Sequence, residues 1–214
     1  MNPEAWVASA EAWVALAIVF MLGAMSPGPS LAVVLRNTMI GGRRQGVMTG
    51  IGHGLGFGIY AFLAAFVLAS ALSVHDGVQL IVNVVGFLIL VWLGFKFIKS
   101  SLEGPKKFNE RHKEGSSEVT GFFQGFMIAL FNPKILAWIL ALFAKFIEPD
   151  MGIETLLGIG ALGMTIDGTW YVLVATVFSS GNSVERLRSS AHLIDGCMGI
   201  LMFVFAALLC IDYL

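Results

Sequence analysis

Long apolar stretches separated by short charged segments run along most of this chain. A transmembrane helix needs about 20 apolar residues to cross about 30 Å of hydrocarbon. Six stretches approach or exceed that length, at residues 12–35, 45–75, 77–95, 119–144, 155–184 and 191–211. The pattern therefore predicts an all-α integral membrane protein with six transmembrane helices.

Composition agrees with the pattern and excludes two other classes of protein. Hydrophobic residues make up 57% of the 214 residues and charged residues 13%, whereas soluble domains carry roughly a quarter charged residues. The net charge is −1 and there is no basic tract, so binding to nucleic acid, which needs clustered Lys and Arg, is not expected. The sequence thus predicts a membrane protein with no nucleic-acid partner.

The basic residues concentrate in alternate loops between the predicted spans. The first, third and fifth loops hold most of them: Arg36, Arg43, Arg44, Lys96, Lys99, Lys106, Lys107, Arg111, Lys113, Arg186 and Arg188. Loops rich in Lys and Arg face the cytoplasm. Both termini are then predicted to lie outside.

A hydrophilic segment divides the chain into two halves of three spans. We predict a first half at residues 1–99, a cytoplasmic linker at 100–118 and a second half at 119–214. Because each half has an odd number of spans, an internal repeat between them must be inverted in the membrane, a common plan for secondary transporters. The first span of each half contains a Pro break, and the second contains Gly-Ile-Gly.

The two Pro breaks share one chemistry. Ser26-Pro27 and Asn132-Pro133 each place a short polar residue, suited to an N-cap, before a Pro suited to the first helical position. Each break therefore predicts a half-helix that starts inside a span, with the two N-termini facing each other. Paired helix N-termini favour an anion such as a carboxylate. The alternative is that both are ordinary Pro kinks.

Two charges lie deep inside predicted spans. Lys134 follows the second break, and Asp167 lies in the fifth span. A cation at the centre of a membrane costs at least about 2.5 kcal/mol, so a partner is expected, and Asp167 is the natural one. The pair could simply join two helices, or it could serve substrate binding and proton transfer.

The second and sixth spans contain further residues with a possible packing or functional role. A glycine recurs every fourth residue on one face of the second span, which predicts close helix packing: Gly42, Gly46, Gly50, Gly54 and Gly58. His53, beside this stripe, could titrate, although such a residue more often has a packing role. Asp195 is only seven residues beyond Arg188, so we interpret it as an interfacial, hydrated carboxylate.

Several motifs together carry a family resemblance. They are Ser-Pro-Gly-Pro at 26–29, Gly-Arg-Arg-Gln-Gly at 42–46, Gly-Phe-Phe-Gln-Gly-Phe at 121–126 and Asn-Pro-Lys at 132–134. In this combination the chain resembles the LysE/RhtB family of amino-acid exporters along nearly its whole length. The resemblance implies a bacterial inner-membrane exporter driven by the proton gradient and assembled as a homo-oligomer.

The sequence therefore predicts a secondary transporter that moves a small zwitterion outward. The predicted substrate site comprises Ser26, Pro27, Gly28, Pro29, Ser30, Asn132, Pro133 and Lys134. Asp167 is the first candidate for proton coupling and His53 the second. No metal-ligand spacing or cofactor motif is present in the sequence. A passive channel lined by half-helices is the alternative function, and an enzyme is disfavoured because no span pairs a nucleophile with a base.

Overall fold

The computed structural model describes residues 9–26, 28–74, 76–103, 117–177 and 181–211. Within these ranges the chain forms seven α-helices and no strand, which confirms the all-α prediction. The helices are α1 (Ala10–Met25), α2 (Pro29–Val74), α3 (Asp76–Glu103), α4 (Glu118–Phe131), α5 (Pro133–Phe146), α6 (Ile153–Val177) and α7 (Gly181–Ile211).

Three of these helices are long and apolar enough, by length and composition, to cross a membrane. The qualifying segments are Pro29–Ser73, Leu80–Glu103 and Ile153–Val177 among the described residues. A fourth span results if α4 and α5, which are bent by 50° at their junction, count as one broken helix. The six-span count therefore stays a prediction.

Helix α2 reverses direction at Gly42. This residue has φ +79° and ψ 176°, in the region that only glycine enters without strain. Asn37 Nδ2 donates to Thr49 Oγ1 at 2.9 Å although the two residues are 12 apart in sequence; in a straight helix they would be about 18 Å apart. Helix α2 thus has a first arm, residues 29–41, and a second arm, residues 43–74, that run in opposite directions.

The second arm of α2 lies between helices of the other predicted half. It packs against α4 and α6, while α3 packs against α7 and α5, and α1 packs against α6. The two predicted halves are therefore interleaved around a shared core. Helix α3 continues to Glu103, beyond the predicted boundary at residue 99, and most of the predicted linker, residues 104–116, lies outside the described residues.

Glycines allow this close packing on both sides of the second arm. A Cβ atom on Gly50 would lie 2.8 Å from Val172 N, and one on Gly54 would lie 2.5 Å from Gly168 Cα. Gly58 meets α6 in the same way, and Gly46 meets the side chains of Thr38 and Ala175. Four glycines of the predicted stripe, from Gly46 to Gly58, thus lie against α6, with Gly46 also against the first arm. The predicted packing role of Gly42 is wrong, because this residue forms the reversal and a Cβ there would meet nothing within 4 Å. On the other face, a Cβ on Gly56 would lie 2.8 Å from Phe126 O of α4.

The outer surface of the helices is apolar. Val67, Ile81 and Phe95 are each about two-thirds exposed, at 64%, 64% and 65%. A broad exposed apolar surface of this kind fits contact with lipid.

Contacts between helix ends place the predicted loops at two ends of the molecule. Arg44 Nη1 lies 3.9 Å from Glu118 Oε1, so the first loop adjoins the end of the third. The backbone N–H of Asp150 donates to Ser73 Oγ at 3.0 Å, so the fourth loop adjoins the second. Alternate loops therefore share an end, as a chain that crosses repeatedly requires.

Candidate functional site

The first helix break lies between α1 and α2. Ser26 caps the C-terminus of α1, where its backbone N–H donates to Leu22 O and Gly23 O. Gly28 O accepts the first hydrogen bond of α2, from Ala32 N at 3.1 Å, so Pro29 is the first helical residue. The prediction that Ser26 is the N-cap of the half-helix is wrong, because the Pro that suits the first position is the second one. Pro27 lies outside the described residues.

The second helix break has the capping that the sequence predicts. Asn132 ends α4 and begins α5, and its Oδ1 accepts a hydrogen bond from Lys134 N at 3.0 Å. Pro133 occupies the first helical position, where its missing N–H leaves no bond unmade. The bend of 50° between α4 and α5 follows from this break.

A hydrogen bond between side chains brings the two breaks together. Asn132 Nδ2 donates to Ser30 Oγ at 3.0 Å, and both residues are buried. The N-terminus of α2 therefore meets the N-terminus of α5 inside the protein. Residues 102 positions apart in sequence form this junction.

The ammonium group of Lys134 lies at the junction of the two breaks. Its Nζ donates to Ser26 Oγ at 2.7 Å and to Ser26 O at 3.2 Å, and it lies 5.1 Å from the centre of the Phe97 ring. Ser26 O belongs to the C-terminal end of α1, where the helix dipole favours a cation. A Cβ on Gly28 would lie 3.1 Å from Nζ, a tight contact that a small shift of the flexible lysine side chain would relieve.

Asp167 is paired with His53, so the predicted pairing with Lys134 is wrong. His53 Nδ1 and Asp167 Oδ2 share a hydrogen bond of 2.5 Å, and the two side chains are 1% and 4% exposed. Tyr171 packs its ring edge-on against the His53 ring at 4.5 Å. The partner choice follows from helix packing, because His53 adjoins Gly54 and Asp167 adjoins Gly168, where α2 and α6 touch.

The other ring nitrogen of His53, Nε2, is not part of this hydrogen bond. His53 Nε2 is buried and has no hydrogen-bond partner among the described residues. The residue lines a cavity together with Asp167 and Lys134. A buried polar atom that borders a cavity is suited to meet a proton, a water or a substrate.

Asp195 is the functional candidate that sequence reasoning missed. It is only 6% exposed, and Ser26 Oγ donates to its Oδ1 at 3.4 Å. Its burial differs from the hydrated carboxylate that the sequence predicts, whereas the apolar part of α7 begins at Asp195 itself, so its interfacial position stays a prediction. The signal in the sequence was a charged residue in an apolar stretch. Its short separation from Arg188 in the sequence favoured the interfacial interpretation instead.

Two cavities meet at Lys134. The larger, about 500 Å³, is lined by the last turns of α3 and by Asp195, and we call it the vestibule. The smaller, about 30 Å³, contains His53 and Asp167, and we call it the inner cavity. Gly28, Asn132 and Lys134 line both. Ligand pockets typically measure about 300–1,000 Å³, so the vestibule has room for a small solute and the inner cavity does not.

Aromatic side chains form part of the wall of the inner cavity. Phe57 and Trp138 line it, and Phe20 packs against both, with ring centres 5.4 and 6.0 Å away. Phe143 extends the cluster. The inner cavity therefore has a mainly apolar and aromatic lining, in which the polar groups are those of the junction and of the pair of His53 and Asp167.

Broken helices that meet in a buried, charged junction beneath an open vestibule are the arrangement of a helical membrane transport protein. Residues 21–213 match the family model of the LysE type translocator, and the chain belongs to that family, as its motifs predict. It is a transporter and not an enzyme.

Bacterial efflux proteins are similar to this chain along most of its length. The threonine efflux protein of Escherichia coli (strain K12) is 26% identical over 195 residues, which cover 89% of this chain and 93% of the relative. The leucine efflux protein of Enterobacter sp. (strain 638) is 26% identical over 188 residues, which cover 85% of this chain and 86% of the relative. No solved structure matches the chain.

Proposed function

We propose that this protein exports amino acids from the cytoplasm across a bacterial inner membrane. The observation that carries the proposal is the ammonium group of Lys134, held at the meeting point of two helix breaks and lining the vestibule. The similarity to threonine and leucine efflux proteins supports the substrate class. The vestibule lies beside the last turns of α3, which lead toward the lysine-rich linker that we predict to be cytoplasmic.

We further propose that the chain crosses the membrane six times as an inverted repeat of three plus three spans. In this arrangement α1 and the first arm of α2 form the broken first span, and α4 and α5 form the broken fourth span. The shared ends of alternate loops support this topology. The positive-inside rule then places both termini outside.

In the proposed binding mode, the substrate carboxylate meets Lys134. The N-termini of α2 and α5 meet through Ser30 and Asn132, and helix N-termini favour a negative charge. The inner cavity at this position is lined by Ser26, Gly28, Ser30 and Asn132. Ser30 and Asn132 hold the two helix starts together, and Gly28 leaves space for the lysine side chain.

The His53–Asp167 pair is the proposed site of proton coupling. Both groups are buried, they share one hydrogen bond, and they lie on the inner cavity beyond Lys134. An ionisable pair inside a membrane segment that borders a transport cavity is a common device for carrying a proton. Its position beyond the charged junction would let proton movement accompany passage of the substrate.

Reconstitution in proteoliposomes tests both parts of the proposal. Counterflow of labelled amino acids, including threonine and leucine, should be observed with the native protein, and an imposed pH gradient should drive uphill transport. Lys134→Met should reduce both modes because it removes the carboxylate partner. Asp167→Asn should abolish uphill transport and retain exchange, because exchange does not require release of the proton.

Glu154→Gln is the matched control, since Glu154 is an exposed carboxylate on the same helix as Asp167. It should leave both modes at the native level. Absence of counterflow with every amino acid would reject amino-acid export. Downhill flux that never becomes uphill would indicate a passive channel. Native uphill rates in Asp167→Asn would remove Asp167 from the coupling mechanism.

A further inference from the structure

A second buried charge, the carboxylate of Asp195, lies at the same junction as Lys134. Ser26 bridges the two groups, because its hydroxyl accepts from Lys134 Nζ at 2.7 Å and donates to Asp195 Oδ1 at 3.4 Å. The two charges also interact electrostatically. They come from α5 and α7, and both residues contribute to the lining of the vestibule.

A small molecule can reach this pair of charges through the vestibule. Lys134 and Asp195 both line a cavity of about 500 Å³, within the range of about 300–1,000 Å³ that small ligands occupy. A pair whose only role was to join two helices would have no need to border such a space. The opposite charges are instead placed where a solute that enters the vestibule reaches them.

An α-amino acid carries its own two charges close together. Standard bond lengths place the ammonium nitrogen about 2.5 Å from the carboxylate carbon. A receptor for both groups must therefore present an anion and a cation within one small region. Lys134 and Asp195, joined through one serine hydroxyl, meet this requirement.

We propose that Asp195 and Lys134 together form a receptor for zwitterions, in which Lys134 binds the substrate carboxylate and Asp195 binds its α-ammonium group. This inference rests on the proposed function and adds the residue that recognises the amino group. The bound ammonium replaces the Ser26 hydroxyl as the hydrogen-bond donor to Asp195. The substrate carboxylate replaces Ser26 as a partner of Lys134, so both buried charges remain paired.

The receptor should discriminate between an amino acid and its 2-hydroxy analogue. The analogue has the same side chain and carboxylate but a neutral hydroxyl in place of the ammonium, so it brings a net negative charge next to Asp195. Loss of one charge-assisted hydrogen bond corresponds to about tenfold weaker binding or more. The native protein should therefore prefer the amino acid by at least about tenfold.

Competition in proteoliposomes containing the full chain measures this preference. Counterflow of labelled leucine would be competed by unlabelled leucine or by 2-hydroxy-4-methylpentanoate, and the threonine pair would be treated in the same way. In Asp195→Asn the amino acid should compete at least about tenfold less well, whereas the hydroxy acid should compete equally well or better. Asp195→Glu should recover part of the preference.

Glu103→Gln is the control, because Glu103 also lines the vestibule but is exposed. It should keep the native preference. Equal losses for both competitors in Asp195→Asn, or no loss for either, would overturn the proposal. If that variant does not fold, the native protein alone decides, since equal competition by leucine and its hydroxy analogue would show that no group binds the ammonium. Absence of counterflow in the native protein would reject the proposed function itself.

Discussion

A single methyl group on Gly54 should disturb both the packing of α2 against α6 and the proton-coupling pair beside it. The Cβ of an alanine at this position would lie 2.5 Å from Gly168 Cα and 2.8 Å from Gly168 N. Carbon atoms in ordinary contact are about 3.5–4.0 Å apart. Backbone atoms cannot rotate away, so the two helices would have to separate by about 1 Å.

This separation acts directly on the neighbouring side chains. His53 precedes Gly54 and Asp167 precedes Gly168, and the hydrogen bond between them is 2.5 Å long. An increase of about 1 Å brings the distance between Nδ1 and Oδ2 to the limit of a hydrogen bond. Gly54→Ala should therefore lower the free energy of unfolding by about 1–3 kcal/mol, the usual cost of overpacking, and should impair uphill transport more than exchange.

The assay combines thermal unfolding in detergent with uphill transport and exchange in the same proteoliposomes. Two controls separate the mechanism from a general effect of alanine. A Cβ on Gly168 would lie 3.5 Å from Gly54 Cα, an ordinary contact, so Gly168→Ala should be mild at the same interface. A Cβ on Gly77 would meet nothing within 4 Å. Equal stability and equal coupling in Gly54→Ala and Gly168→Ala would refute the reasoning.

Two further predictions concern topology and the second helix break. Cysteine introduced at Ser117 should react with an impermeant reagent only from the cytoplasm, and one at Val74 only from outside; labelling of Val74 from the cytoplasm alone would contradict the proposed topology. Asn132→Ala should lower the unfolding free energy by about 1 kcal/mol or more, because it removes the cap of α5 and the bond to Ser30. Thermal unfolding would compare Asn132→Ala with the native protein. An unchanged stability would show that the junction does not hold the two breaks together.

The sequence by itself determined the features that depend on local chemistry. Apolar stretches between charged segments indicate membrane helices, and Asn132-Pro133 specifies a cap followed by a helix start wherever it occurs. The spacing of Gly50, Gly54 and Gly58 indicates one packing face because helical geometry repeats every 3.6 residues. The motif combination also identified the family correctly.

The starting points of α2 and α7 needed the structure. The first break contains two prolines, and both suit a first helical position, so local preferences alone did not choose between Pro27 and Pro29. The structure begins α2 at Pro29 and leaves Ser26 as the cap of α1. Likewise, α7 starts at Gly181, well before its apolar segment, which begins at Asp195.

The partners of the buried charges were decided only by the tertiary structure. Sequence reasoning paired Lys134 with Asp167 because both are deep and opposite in charge, but depth along a helix does not specify which neighbour it faces. The contact between Gly54 and Gly168 brings His53 to Asp167, while the two helix breaks bring Lys134 to Ser26 and Asp195. Helix packing fixes the rotation of each helix about its own axis, and this rotation determines which charges meet. The sequence pattern defines the rotation only to within a broad face of the helix.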